Sequence, residues 1–294
     1  MAKRRGLLLA GGTGSRLHPL TARTNKHLLP VAGKPMIYYP LAALMQLGIR
    51  DIAVLTTARD IHAVRELVAD GAQWGVRLDI LIQDEPRGIA DAYLVAVRYL
   101  SGAPSCLILG DNLLYGPGLD LAAQQALLQV EGADIFGCPV DNGSEYGIAR
   151  LDDRGTVTDL IEKPPATTGA LAIAGVYLCD GTAAERAATL RPSARGELEI
   201  LDLLRTYLVQ QRLRLRHLDT DDVWIDMGTH ERLAAASHRV DQIQARTGRQ
   251  LACLEEIALQ KRWITISELQ NHRAWFAASD YGDYVRSLAA RPPK

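Results

Sequence analysis

The sequence predicts an α/β fold on a mostly parallel sheet, and three observations carry that prediction. Short apolar runs recur at 6–10 (GLLLA), 51–57 (DIAVLTT), 78–83 (LDILIQ) and 106–111 (CLILGD). They are apolar on both faces, as strands covered by helices on both sides must be; a strand with one wet face would alternate. Each run is bounded by turn residues and followed by a segment of helical period, the crossover that parallel neighbours need.

Helices are expected at 39–48, 61–70, 89–100 and 119–130, between and after these strands. From about residue 133 the texture changes: ADIFGCPV, YGIARLD, VTDLIEKP and LAIAGVYLCD follow one another with little helix between. They read as longer strands extending the sheet and making it mixed. LRLRHLD at 213–219 alternates apolar and polar residues, the period of a half-exposed strand. DVWIDMG at 222–228 is a further strand candidate, and the chain is helical in pattern from 229 to a Pro-containing tail. With no internal repeat or linker, the expectation is one Rossmann-like α/β domain, 1–240, carrying a helical C-terminal appendage, 241–294.

A chain of 294 residues, 48% hydrophobic and 23% charged, can bury a sizeable core without disulfides or a structural metal. Thirty-three basic against 34 acidic side chains leave a formal charge of −1, so no global field favours nucleic acid or an anionic membrane. An anionic ligand must be held by a local cluster. Cys106, Cys138, Cys179 and Cys253 share no C-x-x-C spacing and read as buried thiols in a reducing compartment. The apolar stretch after MAKRR is only about four residues, short of a signal peptide, and no run of about 18 apolar residues occurs. The expectation is a soluble cytoplasmic protein.

That local cluster begins where the first strand runs into Gly11-Gly12-Thr13-Gly14-Ser15-Arg16. Glycines allow a sharp turn and close ligand approach, and successive amides form a nest for phosphate oxygens. A dinucleotide-binding G-x-G-x-x-G from Gly12 would need glycine where Leu17 stands, and Gly33-Lys34 is followed by Pro35, which a P-loop forbids. Arg16 offers a planar fork to a phosphate and Lys26, in NKHLLP, a compact charge. Asp111 and Asp226 each end an apolar strand, where parallel sheets place their ligand crevice. A lone aspartate there is more often a turn or helix cap. Two together suit Mg²⁺, which takes hard oxygen ligands from one or two carboxylates plus phosphates and water. Glu162-Lys163 is by itself a weak pattern, since such pairs are usually solvated. The remaining histidines show no ligand spacing, the tryptophans read as core or interface, and no serine or cysteine sits with a base as a nucleophile would need.

LAGGTGSRLHPLT, NKHLLPV and KPMIYYPL resemble the N-terminus of the sugar-1-phosphate nucleotidyltransferases. LGDN around Asp111, WIDMG around Asp226, Tyr146-Gly147, Glu162-Lys163-Pro164 and Arg195-Gly196-Glu197 extend the likeness; ACLEEIA at 252–258 and YGDYVRSL at 281–288 resemble its thymidylyl branch. The resemblance implies the nucleotide-diphospho-sugar transferase fold, with a nucleotide part at about 1–132 and a sugar part at about 133–228. It implies Mg²⁺-dependent conversion of dTTP and glucose 1-phosphate to dTDP-glucose and diphosphate. Arg16, Lys26, Asp111, Lys163, Arg195 and Asp226 would carry the reaction, Asp111 and Asp226 holding the metal. Leu9, Gly11, Gly12, Gly14, His27, Gln83, Gly88 and Asn112 would line the nucleotide; Tyr146, Gly147, Glu162, Ile173 and Tyr177 would line the sugar. The family also implies a homotetramer with a regulatory nucleotide site, matched here by Tyr115, Gly116, Cys253, Glu256 and Ile257. Met227 and Leu201 stand where the family commonly has threonine, Gln260 where arginine is frequent, and His27 where glutamine follows the motif lysine. His27 is expected to donate to a phosphate or base with a charge that varies near neutral pH. A uridylyl- or guanylyltransferase of the same fold and a non-catalytic sugar-nucleotide sensor are the alternatives.

Overall fold

The computed structural model describes residues 3–83, 85–116, 127–165, 169–218 and 221–290. The chain opens with β1 (Arg5–Leu9), a small hairpin of β2 (Pro30–Val31) and β3 (Lys34–Pro35), then α1 (Tyr38–Gln46). It continues through β4 (Asp51–Thr56), α2 (Ile61–Val68), β5 (Arg77–Ile82), α3 (Asp91–Val95), α4 (Val97–Leu100), β6 (Ser105–Leu109) and β7 (Asn112–Tyr115). The helix expected at 89–100 is thus two short helices meeting at Ala96, and most of the helix expected at 119–130 lies outside the described residues.

Strands β6, β1, β4 and β5 are parallel neighbours in that order. Their two-sided burial is visible residue by residue. Leu8, Ile52, Val54 and Ile108 join one core, whereas Leu7, Ala53, Leu55 and Leu107 join the core on the opposite face.

The second half returns antiparallel. It comprises β8 (Ala133–Val140), β9 (Gly147–Leu151), β10 (Val157–Glu162), β11 (Ala170–Cys179), α5 (Ala183–Ala187), α6 (Ile200–Leu208) and β12 (Leu213–His217). β11 pairs with β6, and β9 and β8 pair with β11; β10 extends β9, and β12 lies parallel to β8. Among the described residues the main sheet has nine strands. β13 (Val223–Asp226) leaves that sheet and pairs antiparallel with β7, a separate two-stranded ribbon.

The C-terminal part is α7 (His230–Thr247), α8 (Leu254–Gln260), α9 (Ile266–Gln270) and α10 (Asp280–Leu288). α7 runs unbroken through residue 240, from a Thr229 cap to Gly248 in the left-handed region. Leu254, Ile257, Leu269, Val285 and Leu288 belong to the same core as Leu8 and Leu44, so these helices share the core of the sheet layer. Lys34, buried in the β2–β3 hairpin, donates to Gln244 Oε1 (3.0 Å) and Gln250 Oε1 (2.8 Å). Among the described residues no helix is long and apolar enough to cross a membrane. Cys106, Cys179 and Cys253 are buried free thiols, while Cys138 is only half-buried.

Candidate active site

β1 ends at Leu9, whose carbonyl accepts from Gly110 N (2.8 Å), so the glycine loop and the turn carrying Asp111 leave the sheet side by side. Gly14 is left-handed (φ 63°), and a Cβ there would stand 2.8 Å from Thr21 Cγ2 and 3.2 Å from Lys26 Cβ. Thr21 Oγ1 donates to the Gly14 carbonyl (2.8 Å). The loop is thereby pressed against the segment that holds Lys26. Arg16, in the following single turn (Ser15–Leu17), keeps a half-exposed guanidinium 3.7 Å from Glu145.

The β7–β13 ribbon brings the two distant aspartates together. Asp226 stands opposite Asn112 in register, and Met227 N donates to the Asp111 carbonyl (2.8 Å). Lys26 Nζ lies 2.5 Å from Asp111 Oδ2. Burial pushes the Asp111 carboxyl up, but the Lys26 charge and hydrogen bond outweigh it and hold it well below the usual range. Asp226 is pushed up, by burial first and then by the Asp111 charge. Its Oδ1 accepts from Gly228 N (3.0 Å) and its Oδ2 from Arg232 (3.1 Å). Asn112 Oδ1 accepts from Gly175 N (3.2 Å) and Trp224 Nε1 (2.6 Å), while its Nδ2 donates to Asp111 (3.2 Å). Its amide therefore ties β7, β11 and β13 together.

His27 departs from the expectation. It is 1% exposed, and burial, then the Lys26 charge, lowers its pKa to about 3, so it stays neutral through the physiological range. Its tautomer is fixed as well. Asn25 Nδ2 donates to the Ala10 carbonyl and to Asp60 Oδ2 (2.9 Å each), which leaves Asn25 Oδ1 as an acceptor facing His27 Nδ1 (2.7 Å). Nδ1 must carry the hydrogen. The expected variable charge is overturned because the ring is walled in behind the loop.

On the sheet's other half, Gly147 stands opposite Glu162 across β9 and β10, and Lys163 N donates to the Tyr146 carbonyl (3.0 Å). Lys163 Nζ is 3.5 Å from Glu162. Arg195 lies 3.1 Å from Glu162, 2.9 Å from Glu199 and 3.8 Å from Glu197, so an arriving phosphate would compete with carboxylates for it. Ile173 and Tyr177 are buried in β11 beneath this surface. Tyr177 lies near enough to Glu162 and Asp111 that their charges add to burial in raising its hydroxyl pKa.

Gln83 follows β5 and, with Gly12, Thr13, Thr57, Arg59 and Pro86, lines a cavity of about 220 Å³ beside the glycine loop. Gly11 is close: its Cβ would stand 3.8 Å from Gln83 Oε1. Gly88 lies in a loop clamped to the chain near Arg195, through Leu198 N to the Arg87 carbonyl (2.7 Å) and Ala90 N to the Leu198 carbonyl (3.1 Å).

Tyr115 ends β7, Gly116 follows it beside Asp222, and Cys253, Glu256 and Ile257 belong to the start of α8. Glu256 is buried and accepts from Tyr284 (2.6 Å) and Gln260 (3.1 Å). A larger cavity, about 1120 Å³, opens between Trp74 and the C-terminal helices. Its buried Glu255 is already occupied by Trp74 Nε1 (3.1 Å), Cys253 (3.6 Å) and Tyr281, with His272 at 3.3 Å.

Sequence reasoning missed Arg232 and Glu145, and it read Trp224 as core or interface, where it packs, without its place beside the site. Arg232 bridges Asp226 and Glu145 (2.9 Å) and lies over the Tyr146 ring at 5.2 Å, while Trp224 packs on Tyr146 at 5.1 Å. Their only sequence signal was adjacency to Asp226 and Tyr146.

Two carboxylates, a lysine and a glycine loop at the carboxyl end of a parallel sheet define a site for phosphate chemistry on a nucleotide. The chain belongs to the nucleotidyl transferase family, whose model matches residues 5–243. It is 44% identical over 291 residues to the glucose-1-phosphate thymidylyltransferase of Xanthomonas campestris pv. campestris strain B100, covering 99% of both chains. The Mycobacterium tuberculosis (H37Rv) protein of that name is 38% identical over 98% of this chain and 99% of its own. A crystal structure titled as a putative glucose-1-phosphate thymidylyltransferase from Bacillus anthracis, in complex with a sucrose, superposes with TM-score 0.75. It is 35% identical over 81% of this chain and 95% of its own. A UDP-glucose pyrophosphorylase complexed with UDP-glucose, 22% identical, shares the fold at TM-score 0.71 over 82% of this chain and 99% of its own.

Proposed function

We propose that this chain is a glucose-1-phosphate thymidylyltransferase, converting dTTP and α-D-glucose 1-phosphate to dTDP-glucose and diphosphate at the start of dTDP-deoxysugar synthesis. The observation that carries the reading is the convergence of Asp111 and Asp226 beside Lys26 and the glycine loop. The donor set fits Mg²⁺: the buried Asp111 and half-buried Asp226 carboxylates, the latter pushed toward its protonated form by burial and then by the Asp111 charge, with Lys26 and Arg232 beside them. Bound by Asp111 and Asp226, Mg²⁺ would neutralise charge on the reacting phosphates.

The chain's own residues do the rest. Amides of the glycine loop and the Arg16 fork hold the β- and γ-phosphates, and Lys26 sits where negative charge grows on the departing diphosphate. Gln83 and Gly88 receive the base. Tyr146, Gly147 and Glu162 receive the sugar over a floor of Ile173 and Tyr177, and Lys163 and Arg195 hold its phosphate. A phosphate oxygen of glucose 1-phosphate forms the new bond to the α-phosphorus as the α–β bridge breaks. No residue need remove a proton, because the attacking phosphate is already ionised near pH 7. Homotetramer assembly, regulation through Tyr115, Gly116 and the start of α8, and a cytoplasmic setting belong to the same reading.

The test is diphosphate release with dTTP, UTP, dCTP and GTP, each with glucose 1-phosphate. The highest kcat/KM is expected with dTTP. Faster turnover of UTP or GTP would reassign the nucleotide, and no release with any would leave a sugar-nucleotide sensor.

A further inference from the structure

Asp91 opens α3 with its carboxylate buried (1% exposed), and both of its oxygens are engaged. Arg87 Nη2 reaches Oδ1 at 3.1 Å, and Gln83 Nε2 donates to Oδ2 at 2.8 Å. The same Nε2 lies 3.4 Å from the Gly88 carbonyl. Both neighbours of that amide end are acceptors, and only an NH₂ group has two hydrogens to offer them. Turning the amide over would set a carbonyl oxygen against a carboxylate and leave the buried acceptor unpaired. The Gln83 carbonyl is therefore held on the glycine-loop side, facing the small cavity that Gly12 and Thr13 also line.

We propose that Asp91 is a positioning residue for base selection: through Gln83 it commits the cavity to presenting an acceptor. The base it favours is a pyrimidine whose ring N3 carries a hydrogen, as in thymine or uracil, over cytosine, whose N3 is a lone pair. Arg87 supports this by holding the second oxygen, so the carboxylate cannot turn away. An acceptor fixed in a partly buried site discriminates because the wrong base leaves it unpaired. The inference rests on the thymidylyl reading and deepens it.

The experiment measures kcat/KM for dTTP and dCTP, with glucose 1-phosphate, in the wild type, Asp91→Asn and Asp91→Glu. Asparagine offers either a donor or an acceptor, so Gln83 is released to present either end. The dTTP-over-dCTP preference is expected to fall about tenfold in Asp91→Asn, mostly through KM, the scale of one hydrogen bond; Asp91→Glu should retain most of it. An equal loss for both nucleotides would mean a purely structural role and overturn the proposal, as would an unchanged ratio. Should Asp91→Asn not fold, the wild type decides alone. dTDP methylated at N3 should compete against dTTP at least about tenfold more weakly than unmethylated dTDP; equal competition overturns the proposal. A wild type inactive with dTTP and UTP would instead sink the thymidylyl reading, an outcome distinct from an active enzyme with an indifferent Asp91→Asn.

Discussion

His27 shows how much burial decides at the scale of one residue. Its position beside Lys26 was legible in NKHLLP, but its proton was not, because desolvation depends on what folds over it. With a folded pKa of about 3 against an ordinary 6.5, the unfolded chain binds the extra proton across that window. Stability from this group is full above about 6.5 and is lost as pH falls toward 3. His27→Gln should flatten the fall of Tm between pH 6.5 and 4 while leaving the activity profile between pH 7 and 8 unchanged. Thermal melts across that range check the first part and initial rates the second. Arg16 is the reverse case, legible in position, because a half-exposed cation on a glycine loop needs no tertiary detail to be placed. Arg16→Ala should lower kcat by about 10²-fold, the scale of removing one group that stabilises developing charge. Steady-state rates with saturating dTTP measure it.

Among elements, most strands that build the site could be read from their apolar runs, including 222–228; β7 could not, because the run at 106–111 ends at Asp111 and the short strand Asn112–Tyr115 has no run of its own. What could not be read was that β13 would leave the sheet and pair with β7, since partner choice is set by contacts distant in sequence. That pairing is what makes Asp226 a neighbour of Asp111, and Gly175 on β11 supports it. A Cβ at Gly175 would stand 2.7 Å from Asn112 Oδ1 and 2.7 Å from Leu109 Cδ1. Gly175→Ala should push Asn112 out of the ribbon, costing about 1–3 kcal/mol of stability and at least about tenfold in kcat. Denaturant melts and rates report the two losses together. The same logic at the β2–β3 hairpin concerns Lys34, whose pKa burial lowers to about 8 and whose partners are the amides of Gln244 and Gln250. Lys34→Ala should take a donor from each amide, Gln244 Oε1 keeping Leu251 N (3.0 Å), and destabilise the C-terminal helices by about 1–3 kcal/mol. Limited proteolysis would show earlier cleavage after residue 243.

For the whole molecule, a formal charge of −1 says nothing of how charge is arranged. The arrangement is local: Lys26, Arg16 and Arg232 stand around Asp111 and Asp226, and Arg195 and Lys163 stand around Glu162. Composition excluded a global field, and the glycine loop pointed to the local one. The cross-connections through Glu145, Arg232 and Trp224 stayed hidden because each is bonded to a residue from a different element. The C-terminal helices likewise read as an appendage from sequence, yet they complete a core that begins at β1. The proposed thymidylyl transfer, at a site assembled from β6, β7 and β13, makes Asp226 an indispensable carboxylate. The most direct measurement is kcat for dTDP-glucose formation by Asp226→Asn beside the wild type, with folding checked by its melting curve. A folded variant slowed by about 10²-fold or more is the predicted result; a folded variant with wild-type turnover would contradict the account.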